Sequence, residues 1–468
     1  MNQNRTDNSS LRTIIVLLAS VTLLFLFRSL WTYPLDHSDA IQKYYYAGEI
    51  LRLGDWSILF HNHHTLRWAA MLPQTALTWM LGTRYEVFYV LPLLVFSLYV
   101  VLIVFSLRHT FSFSQQLLLL AFLLSEPLSL HVSNQFLVTG LGIFFAFAGI
   151  LVLVTPAKRP NLAAVMAGTL FFIAYGAHVT YLSFAAGGFL WLLLFQRKPS
   201  RAMIFCAAIL TLFIIEALVF DYLSGWQFVF GRLEALAISP HVGRSLDYDP
   251  VTFSQLFTRW LLLPVPHRLL CLSFFMAIPW FFVQKKRGRE VPAFIACTFL
   301  VGLCFGIAAS FALYSIDPIK PVQPLLVRYL IPILPFASIM TVYMLSCLVA
   351  EFSNKSFLRA EAIMSVMLAL VLLLAPTFTL DFVKSKFTAF MWRADEQYTE
   401  FAELFRDGEL NLTGRQKVAQ SMIARFKYPV KIRNRETGLS VINLSPEALC
   451  VTELNKVPLR LNYEDCAE

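Results

Sequence analysis

Apolar stretches of membrane-spanning length recur along most of the chain and are separated by short polar segments. A helix needs about 20 mostly apolar residues to cross the roughly 30 Å hydrocarbon core of a bilayer, and runs of this kind occur about eleven times. They lie at residues 11–31, 85–107, 114–130, 137–155, 161–177, 179–196, 202–223, 266–284, 291–314, 329–350 and 357–380. The pattern predicts an α-helical polytopic membrane protein with about eleven transmembrane helices.

The composition excludes a soluble protein. Of 468 residues, 57% are hydrophobic and only 14% are charged, and the mean hydropathy is +0.63. No globular interior is large enough to bury so much apolar sequence, so lipid must face part of it. The net charge of +9 does not indicate a nucleic-acid partner, because residues 381–468 contain 13 basic and 13 acidic residues and the remaining chain contains 25 and 16. The excess therefore lies in the membrane part, where it predicts topology.

Basic residues in the short loops predict the orientation, because they all fall on one side of the membrane if the N-terminus is cytoplasmic. These residues are Arg108, Lys158, Arg159, Arg197, Lys198, Arg201, Lys285, Lys286, Arg287, Arg289, Lys355 and Arg359. The first apolar run is preceded by Arg5 and Arg12 and followed by no small-residue cleavage site, so we expect an uncleaved anchor. The expectation is a multi-pass protein of the plasma or inner membrane, whose long first loop, 32–84, lies outside the cytoplasm.

The tail, residues 384–468, follows a transmembrane domain of residues 1–383 and has the mixed pattern of a small extracytoplasmic α+β domain. Its predicted helices are Asp395–Phe405 and Arg415–Phe426, and polar and apolar residues alternate at Gly438–Asn443 and Val457–Leu461. Cys450 and Cys466 are the only cysteines in polar sequence, and they can pair if the tail faces an oxidising compartment. Two free thiols are the alternative. The other five are expected to be buried small hydrophobic residues.

The first outer loop contains two predicted interfacial helices and two acidic residues just beyond the first apolar run. The helices are Asp39–Leu53, which ends before Gly54, and the amphipathic Thr65–Leu81. Asp36 and Asp39 are expected at the membrane surface, where a carboxylate can abstract a proton or contact a cation. The competing interpretation is that one of them caps the first helix, which is the commoner role of an aspartate at such a position.

This loop also carries a sequence motif. It comprises Asp39, Ala47, Glu49, Leu51 and Gly54-Asp55-Trp56, followed by Arg67, Pro73 and Gly82. The motif resembles the first outer loop of GT-C glycosyltransferases, in the branch of the protein O-mannosyltransferases and the lipid A aminoarabinose transferases. Ala40 and Lys43 depart from that family, which often has an acidic residue and a tyrosine there, and Asp36 is the alternative second carboxylate. A later stretch, Arg328-Tyr329-Leu330-Ile331-Pro332-Ile333-Leu334-Pro335, resembles the start of a late span in these enzymes.

The resemblance implies a GT-C-like fold and inverting transfer of a sugar from a polyprenyl-phosphate-linked donor to a glycolipid, glycan or protein acceptor on the extracytoplasmic face. Such a reaction needs a base for the acceptor hydroxyl and cations for the lipid phosphate. The resemblance implies Asp39 as the base, with Asp36 as the second candidate. It implies Arg328, Arg67 and His178 as phosphate-binding residues, since guanidinium groups bind phosphate with two parallel hydrogen bonds. Further substrate-binding candidates are His64, Tyr329, Tyr44 and Glu126.

Each assigned residue also has a structural interpretation. Arg328 could extend to the headgroups from the start of a span, Arg67 could contact headgroups, and His178 could be a satisfied polar residue at a helix end. Tyrosines are also typical of interfacial aromatic belts. His61, His63 and His64 lack the i, i+4 spacing of a metal site, so we expect a solvated loop or a sugar or phosphate contact. No cofactor is expected beyond a divalent cation, which the sequence leaves open.

Two other functions fit a polytopic chain. A transporter or flippase requires charges or broken helices within the membrane and often has repeated halves, whereas Glu216 is the clearest acidic residue inside a span and no internal repeat is visible. A polysaccharide polymerase or ligase typically has its large outer loop late in the chain. Here the largest motif-bearing loop is the first, which favours the transferase.

Overall fold

The computed structural model describes much of the helical part of the chain and the strands of the tail. The described residues are 15, 18, 43, 46–48, 50, 51, 53–60, 64–82, 85–125, 132, 138–227, 231, 232, 234, 251–262, 265–288, 290–311, 313–316, 319–321, 332–352, 357–382, 409, 410, 430–433, 440, 441, 449–451 and 459–462. They form a helical membrane protein, with a two-stranded hairpin late in the bundle and a sheet in the tail.

Most of the helices follow one another with short connections, and longer segments follow Leu223 and Phe311. In chain order they are α1 (Trp68–Leu81), α2 (Tyr85–Ser106), α3 (Phe113–Ser125), α4 (Val138–Val154), α5 (Pro160–Ala177), α6 (Leu182–Leu190), α7 (Pro199–Leu223), α8 (Phe253–Thr258), α9 (Val265–Lys286), α10 (Ala293–Phe311), α11 (Leu334–Phe352) and α12 (Phe357–Phe382). Short 3-10 segments cover Trp56–Phe60, Val179–Tyr181 and Arg259–Leu262, and a π-helical turn, Trp191–Phe195, extends α6.

Six helices in the described part are long and apolar enough to cross a membrane, namely α2, α5, α7, α9, α10 and α11. Shorter apolar helices coincide with the predicted runs 114–130, 137–155 and 179–196. One predicted boundary is wrong, because the run expected to reach residue 314 ends as a helix at Phe311 and Leu313 begins a strand. The predicted run 11–31 lies almost wholly outside the described residues. The total of about eleven spans therefore stays a prediction.

The predicted basic loops around α4 to α7 lie together at one end of the bundle. There the Gln196 side chain, just after α6, donates through Nε2 to the carbonyl of Leu153 near the end of α4, at 2.9 Å. Helices α5 and α7 start at the same end, each with a proline in its first turn, where its missing N–H costs nothing. We call this the basic end, defined by residues 155–159 and 196–201. The end where α1 packs against α5 is called the first-loop end.

Aromatic rings fill the centre of the bundle. Phe336 of α11 stacks on Phe147 of α4 and on Phe184 of α6, with ring centroids 4.7 and 5.5 Å apart. Phe184 also stacks on Phe305 of α10 at 5.1 Å. Burial of these large rings stabilises the contact of four helices that are distant in sequence.

The described part of the first loop explains the Gly54-Asp55-Trp56 motif in structural terms. The first helix ends at Gly54, which has a φ of +65° that few other residues adopt, and its N–H donates to the carbonyl of Ile50 at 2.9 Å. Asp55 then caps the segment Trp56–Phe60, because its carboxylate accepts hydrogen bonds from the backbone N–H of Ser57 at 2.8 Å and from its hydroxyl at 2.9 Å. The motif therefore forms a helix stop followed by a cap.

Helix α1 is confirmed, and its two faces are inverted relative to those of a soluble helix. The polar side chains of Gln74, Thr75 and Thr78 are buried. Trp79 is 75% exposed, and Met80 is also exposed. An apolar outer face suits a helix that contacts lipid, as the amphipathic pattern predicts.

Short strands occur in two separate places. Strands β1 (Leu313–Ile316) and β2 (Ile319–Pro321) form an antiparallel hairpin after α10, which the sequence pattern does not predict. The tail forms a five-stranded sheet in the order β3-β7-β6-β4-β5, in which only β4 and β6 are parallel. Its strands are β3 (Glu409–Leu410), β4 (Val430–Arg433), β5 (Ser440–Val441), β6 (Leu449–Val451) and β7 (Leu459–Asn462).

Strands β5 and β7 overlap the two alternating runs expected in the tail, while the two helices expected there lie outside the described residues, so the small α+β domain stays a prediction. Cys450 lies in β6, but Cys466 is not described, so the disulfide stays a prediction. The other five cysteines lie in helices and are buried or half-buried, which confirms their expected role as small hydrophobic residues. These are Cys206, Cys271, Cys297, Cys304 and Cys347.

Candidate functional site at the first-loop end

A buried group of polar side chains joins the first loop to α5 and α7. Glu216 of α7 accepts hydrogen bonds from the indole N–H of Trp68 and from the hydroxyl of Tyr175, the latter at 3.3 Å. Arg232, in the segment after α7, places its Nε 3.4 Å from a carboxylate oxygen of Glu216. Glu216 is 8% exposed and Arg232 is 2% exposed. We call these four residues the Glu216–Arg232 cluster.

Arg232 also binds backbone carbonyls at the end of α5. Its Nη1 donates to Gly176 O and its Nη2 to Tyr175 O, both at 2.8 Å, and Nη1 lies 3.5 Å from Leu66 O in the first loop. The last carbonyls of a helix lack intrahelical partners and carry a partial negative charge, so a cation there is favourable. The Nε–H is not aligned with Glu216 for a hydrogen bond, and their attraction is that of two opposite charges.

Close packing reinforces these polar contacts. Position 176 is glycine, and the indole of Trp68 occupies the space that a side chain at this position would need. The Trp68 ring lies 5.9 Å from that of Phe172. Earlier in the loop, Phe60 packs edge-to-face on Phe220 of α7, with ring centroids 5.1 Å apart. Loop and bundle are thus held together by apolar contacts as well as by hydrogen bonds of Trp68 and Leu66 to charged side chains.

Two of the predicted phosphate-binding residues lie near this cluster and interact with the same tyrosine. Half-buried Arg67 is close enough to the Tyr181 hydroxyl to act on it electrostatically, and that hydroxyl hydrogen-bonds to Thr139 at the start of α4. The ring of His178 lies 5.5 Å from the ring of Tyr181. His178 follows α5 in an extended conformation, and its Nδ1 lies 2.8 Å from the hydroxyl of Thr180. The structure therefore brings Arg67 and His178 to one part of the first-loop end.

The first loop buries two further polar residues. His64 is 5% exposed, which excludes a solvated loop for this member of the histidine group. The neighbouring Thr65 donates through its hydroxyl to the carbonyl of Leu59 at 2.8 Å and fixes this turn. Lys43 is fully buried, although the sequence distinguished it only as a departure from the family motif. Burial of a lysine is costly unless its charge is compensated, so partners in the surrounding structure must stabilise this buried position.

The other predicted site residues lie outside the described part of the chain. They are Asp36, Asp39, Tyr44, Glu126, Arg328 and Tyr329, together with His61 and His63. Within the described residues, no group of three or more His, Cys, Asp or Glu side chains is placed to hold a metal ion.

The sequence did not indicate the Glu216–Arg232 cluster as a unit. Glu216 was visible as an acidic residue inside a span, which predicts a partner. Its partners could not be named, because Trp68 lies 148 positions away and resembled one more aromatic residue at the interface. Only the presence of an arginine in the loop that follows α7 gave a signal, and Arg244 shares that property.

Comparison with known proteins identifies no relative of this chain. The chain matches no protein-family model, no curated protein and no solved structure. The transferase hypothesis therefore depends on the motifs of the first loop and of residues 328–335, considered together with the geometry at the first-loop end.

Proposed function

We propose that this protein is an integral membrane glycosyltransferase that moves a sugar from a polyprenyl-phosphate-linked donor to a glycolipid, glycan or protein acceptor on the extracytoplasmic face. The observation that carries the proposal is the proximity of Arg67 and His178 to Tyr181. Arg67 belongs to the first-loop motif and His178 ends α5, so residues from separate elements meet at the first-loop end. Two groups that can be cationic and lie near the same tyrosine suit a lipid phosphate at headgroup level.

The proposed chemistry needs few protein groups. The acceptor oxygen attacks the anomeric carbon, the bond from that carbon to the phosphate oxygen breaks, and polyprenyl phosphate leaves with the electron pair. Asp39 takes the proton of the acceptor hydroxyl. Arg67, His178 and Arg328 stabilise the charge that develops on the leaving phosphate. Attack from the face opposite the leaving group inverts the configuration of the sugar carbon.

The contacts of Glu216 favour this function over transport. A transporter needs an intramembrane carboxylate that can exchange its partner for an ion or a substrate. Glu216 instead faces Trp68, Tyr175 and Arg232 in a site that is almost closed to solvent. These contacts suit an acid that holds the first loop in place.

Donor binding by the purified, reconstituted protein tests the proposal. The ligands are polyprenyl phosphate and a polyprenyl-phosphate-linked sugar, and binding is read from quenching of tryptophan fluorescence. Arg67→Ala is expected to weaken binding about ten-fold or more, the value of a hydrogen bond between charged groups. Arg67→Lys keeps the charge and loses the two-pronged geometry, so it is expected to bind with intermediate affinity.

Arg268 provides a matched control, because it is a half-buried arginine near the start of α9. Arg268→Gln is expected to bind the lipid phosphate within two-fold of the unchanged protein. If Arg67→Ala and Arg268→Gln weakened ligand binding equally, Arg67 would contribute only as a general positive charge and not as a specific phosphate-binding residue. Absence of binding to every polyprenyl-phosphate ligand would refute the proposed donor class.

A further inference from the structure

A groove at the basic end lies between two helix connections. It has a volume of about 470 Å³, within the roughly 300–1,000 Å³ range of small-molecule sites. One wall is the connection between α4 and α5, and the other is formed by the end of α6 and the start of α7. Residues that line it include Thr155, Pro160, Gln196, Lys198 and Arg201.

The groove is cationic. Lys198 and Arg201 line it, and the residues that line it include no carboxylate. Gln196 orients the arginine, because its carbonyl oxygen accepts a hydrogen bond from Arg201 Nη1 at 3.3 Å while its amide holds Leu153 O. The remaining N–H groups of the guanidinium and the ammonium of Lys198 are donors that favour an oxyanion.

Apolar side chains flank the groove on the outside of the bundle. Leu194 and Phe195 lie just before Gln196, and each is 57% exposed. Met203 follows Arg201 by two positions and is 67% exposed, and Leu162 and Met166 of α5 are also exposed. Such side chains next to a cationic groove match a ligand with an anionic head and hydrocarbon tails.

We infer that this groove binds the phosphate group of an anionic phospholipid, with the acyl chains along the exposed faces of α5, α6 and α7. A phosphodiester supplies unprotonated oxygens for Arg201 and Lys198, and the two connections enclose it at the level of the headgroups. The inference is independent of the proposed transferase activity, whose described residues, Arg67 and His178, lie at the opposite end of the bundle.

Native mass spectrometry of the delipidated full-length protein tests the inference. The protein is titrated with phosphatidylglycerol, with phosphatidylcholine and, separately, with inorganic phosphate. Phosphatidylglycerol is expected to bind in preference to the other two. Replacing both cations, Lys198→Gln with Arg201→Gln, is expected to weaken phosphatidylglycerol binding by about 25-fold, at about five-fold for each charge near a membrane surface.

Lys158 and Arg159 are the matched controls, because they lie at the same end but do not line the groove. Lys158→Gln with Arg159→Gln is expected to change binding less than two-fold. Lys198→Gln alone removes an exposed charge, so it tests the inference even if loss of the Arg201 bond to Gln196 prevents folding. Equal weakening by the groove pair and the control pair would show diffuse surface charge and overturn the inference. Binding of inorganic phosphate as tight as that of phosphatidylglycerol would also overturn it.

Discussion

Arg232 illustrates how one side chain can organise a membrane protein. Its guanidinium is withdrawn from water, which is costly, but it is compensated by Glu216, by two helix-terminal carbonyls and by the face of the Tyr175 ring 4.0 Å away. The penalty for a buried charge is large when a partner is removed and small when the whole set is present. The cluster should therefore behave as a cooperative unit.

Breaking this unit is expected to destabilise the protein strongly. Arg232→Met leaves Glu216 and the α5 carbonyls without their cation and is expected to lower the free energy of unfolding by about 3–5 kcal/mol. Glu216→Gln keeps an acceptor for Trp68 and is expected to cost less. Because the two residues interact, the double variant should cost less than the sum of the single ones. Unfolding in mixed micelles, followed by tryptophan fluorescence, measures all three.

An exposed ion pair provides the comparison. Arg287 follows α9 and Glu351 lies in α11. The Nη1 of Arg287 is 2.6 Å from a carboxylate oxygen of Glu351, and the arginine side chain is 48% exposed. Surface pairs contribute about 0–1 kcal/mol, so Arg287→Met is expected to change stability by no more than that. A similar loss for Arg232→Met and Arg287→Met would contradict the claim that the buried cluster anchors the first loop.

At the scale of elements, glycines set how closely helices approach. A Cβ at Gly187 of α6 would overlap the backbone of Val301 in α10, whereas a Cβ at Gly306 would meet side chains alone, the end of Ile333 at 3.2 Å and the ring of Phe275 at 3.7 Å. Backbone cannot move aside as a flexible side chain can. The contact of α6 with α10 therefore depends on a small residue at position 187.

Gly187→Ala is expected to destabilise the bundle by about 1–3 kcal/mol through overpacking. Gly306→Ala, the control, is expected to cost less than about 1 kcal/mol, because the Ile333 side chain can rotate. The thermal midpoint of each variant in the same detergent measures the difference. Equal thermal midpoints for both variants would contradict the claim that the contact of α6 with α10 depends on a small residue at position 187.

The elements were largely predictable from sequence, because apolar run length decides where a helix forms in lipid. Helices α5 and α7 begin within a few residues of their predicted starts, at prolines that suit a first turn. The hairpin of β1 and β2 was not predicted, because Leu313 continues an apolar run of helical length, whereas in the structure this strand pairs with the neighbouring segment Ile319–Pro321. The candidate site was predictable only in part. Arg67 and His178 were named as functional residues, whereas Arg232 and its contacts depend on long-range packing.

At the scale of the whole molecule, the two ends of the bundle differ in chemistry. The first-loop end holds the Glu216–Arg232 cluster with Arg67 and His178, and the basic end holds the cationic groove. The positive-inside rule predicts that the basic end faces the cytoplasm. The proposed transferase site would then face the opposite side, with the tail.

Reporter fusions test this orientation. A fusion after Arg289 is expected in the cytoplasm and a fusion after Lys417 outside it, so a reporter active in only one compartment should give opposite signals. Matching signals from the two fusions would contradict the proposed topology. A reversed result would place the first-loop end in the cytoplasm and exclude an extracytoplasmic active site.

Transfer from a lipid-linked donor, compared between Asp39→Asn and Asp36→Asn, tests the central claim most directly. The reconstituted protein receives a labelled polyprenyl-phosphate-linked sugar and candidate acceptors, and released polyprenyl phosphate is measured. Because asparagine keeps the shape but cannot accept a proton, Asp39→Asn is expected to lower the rate by about 10²–10⁴ with donor binding intact, and Asp36→Asn less. No release by the unchanged protein with any donor, or normal turnover by Asp39→Asn, would contradict the account.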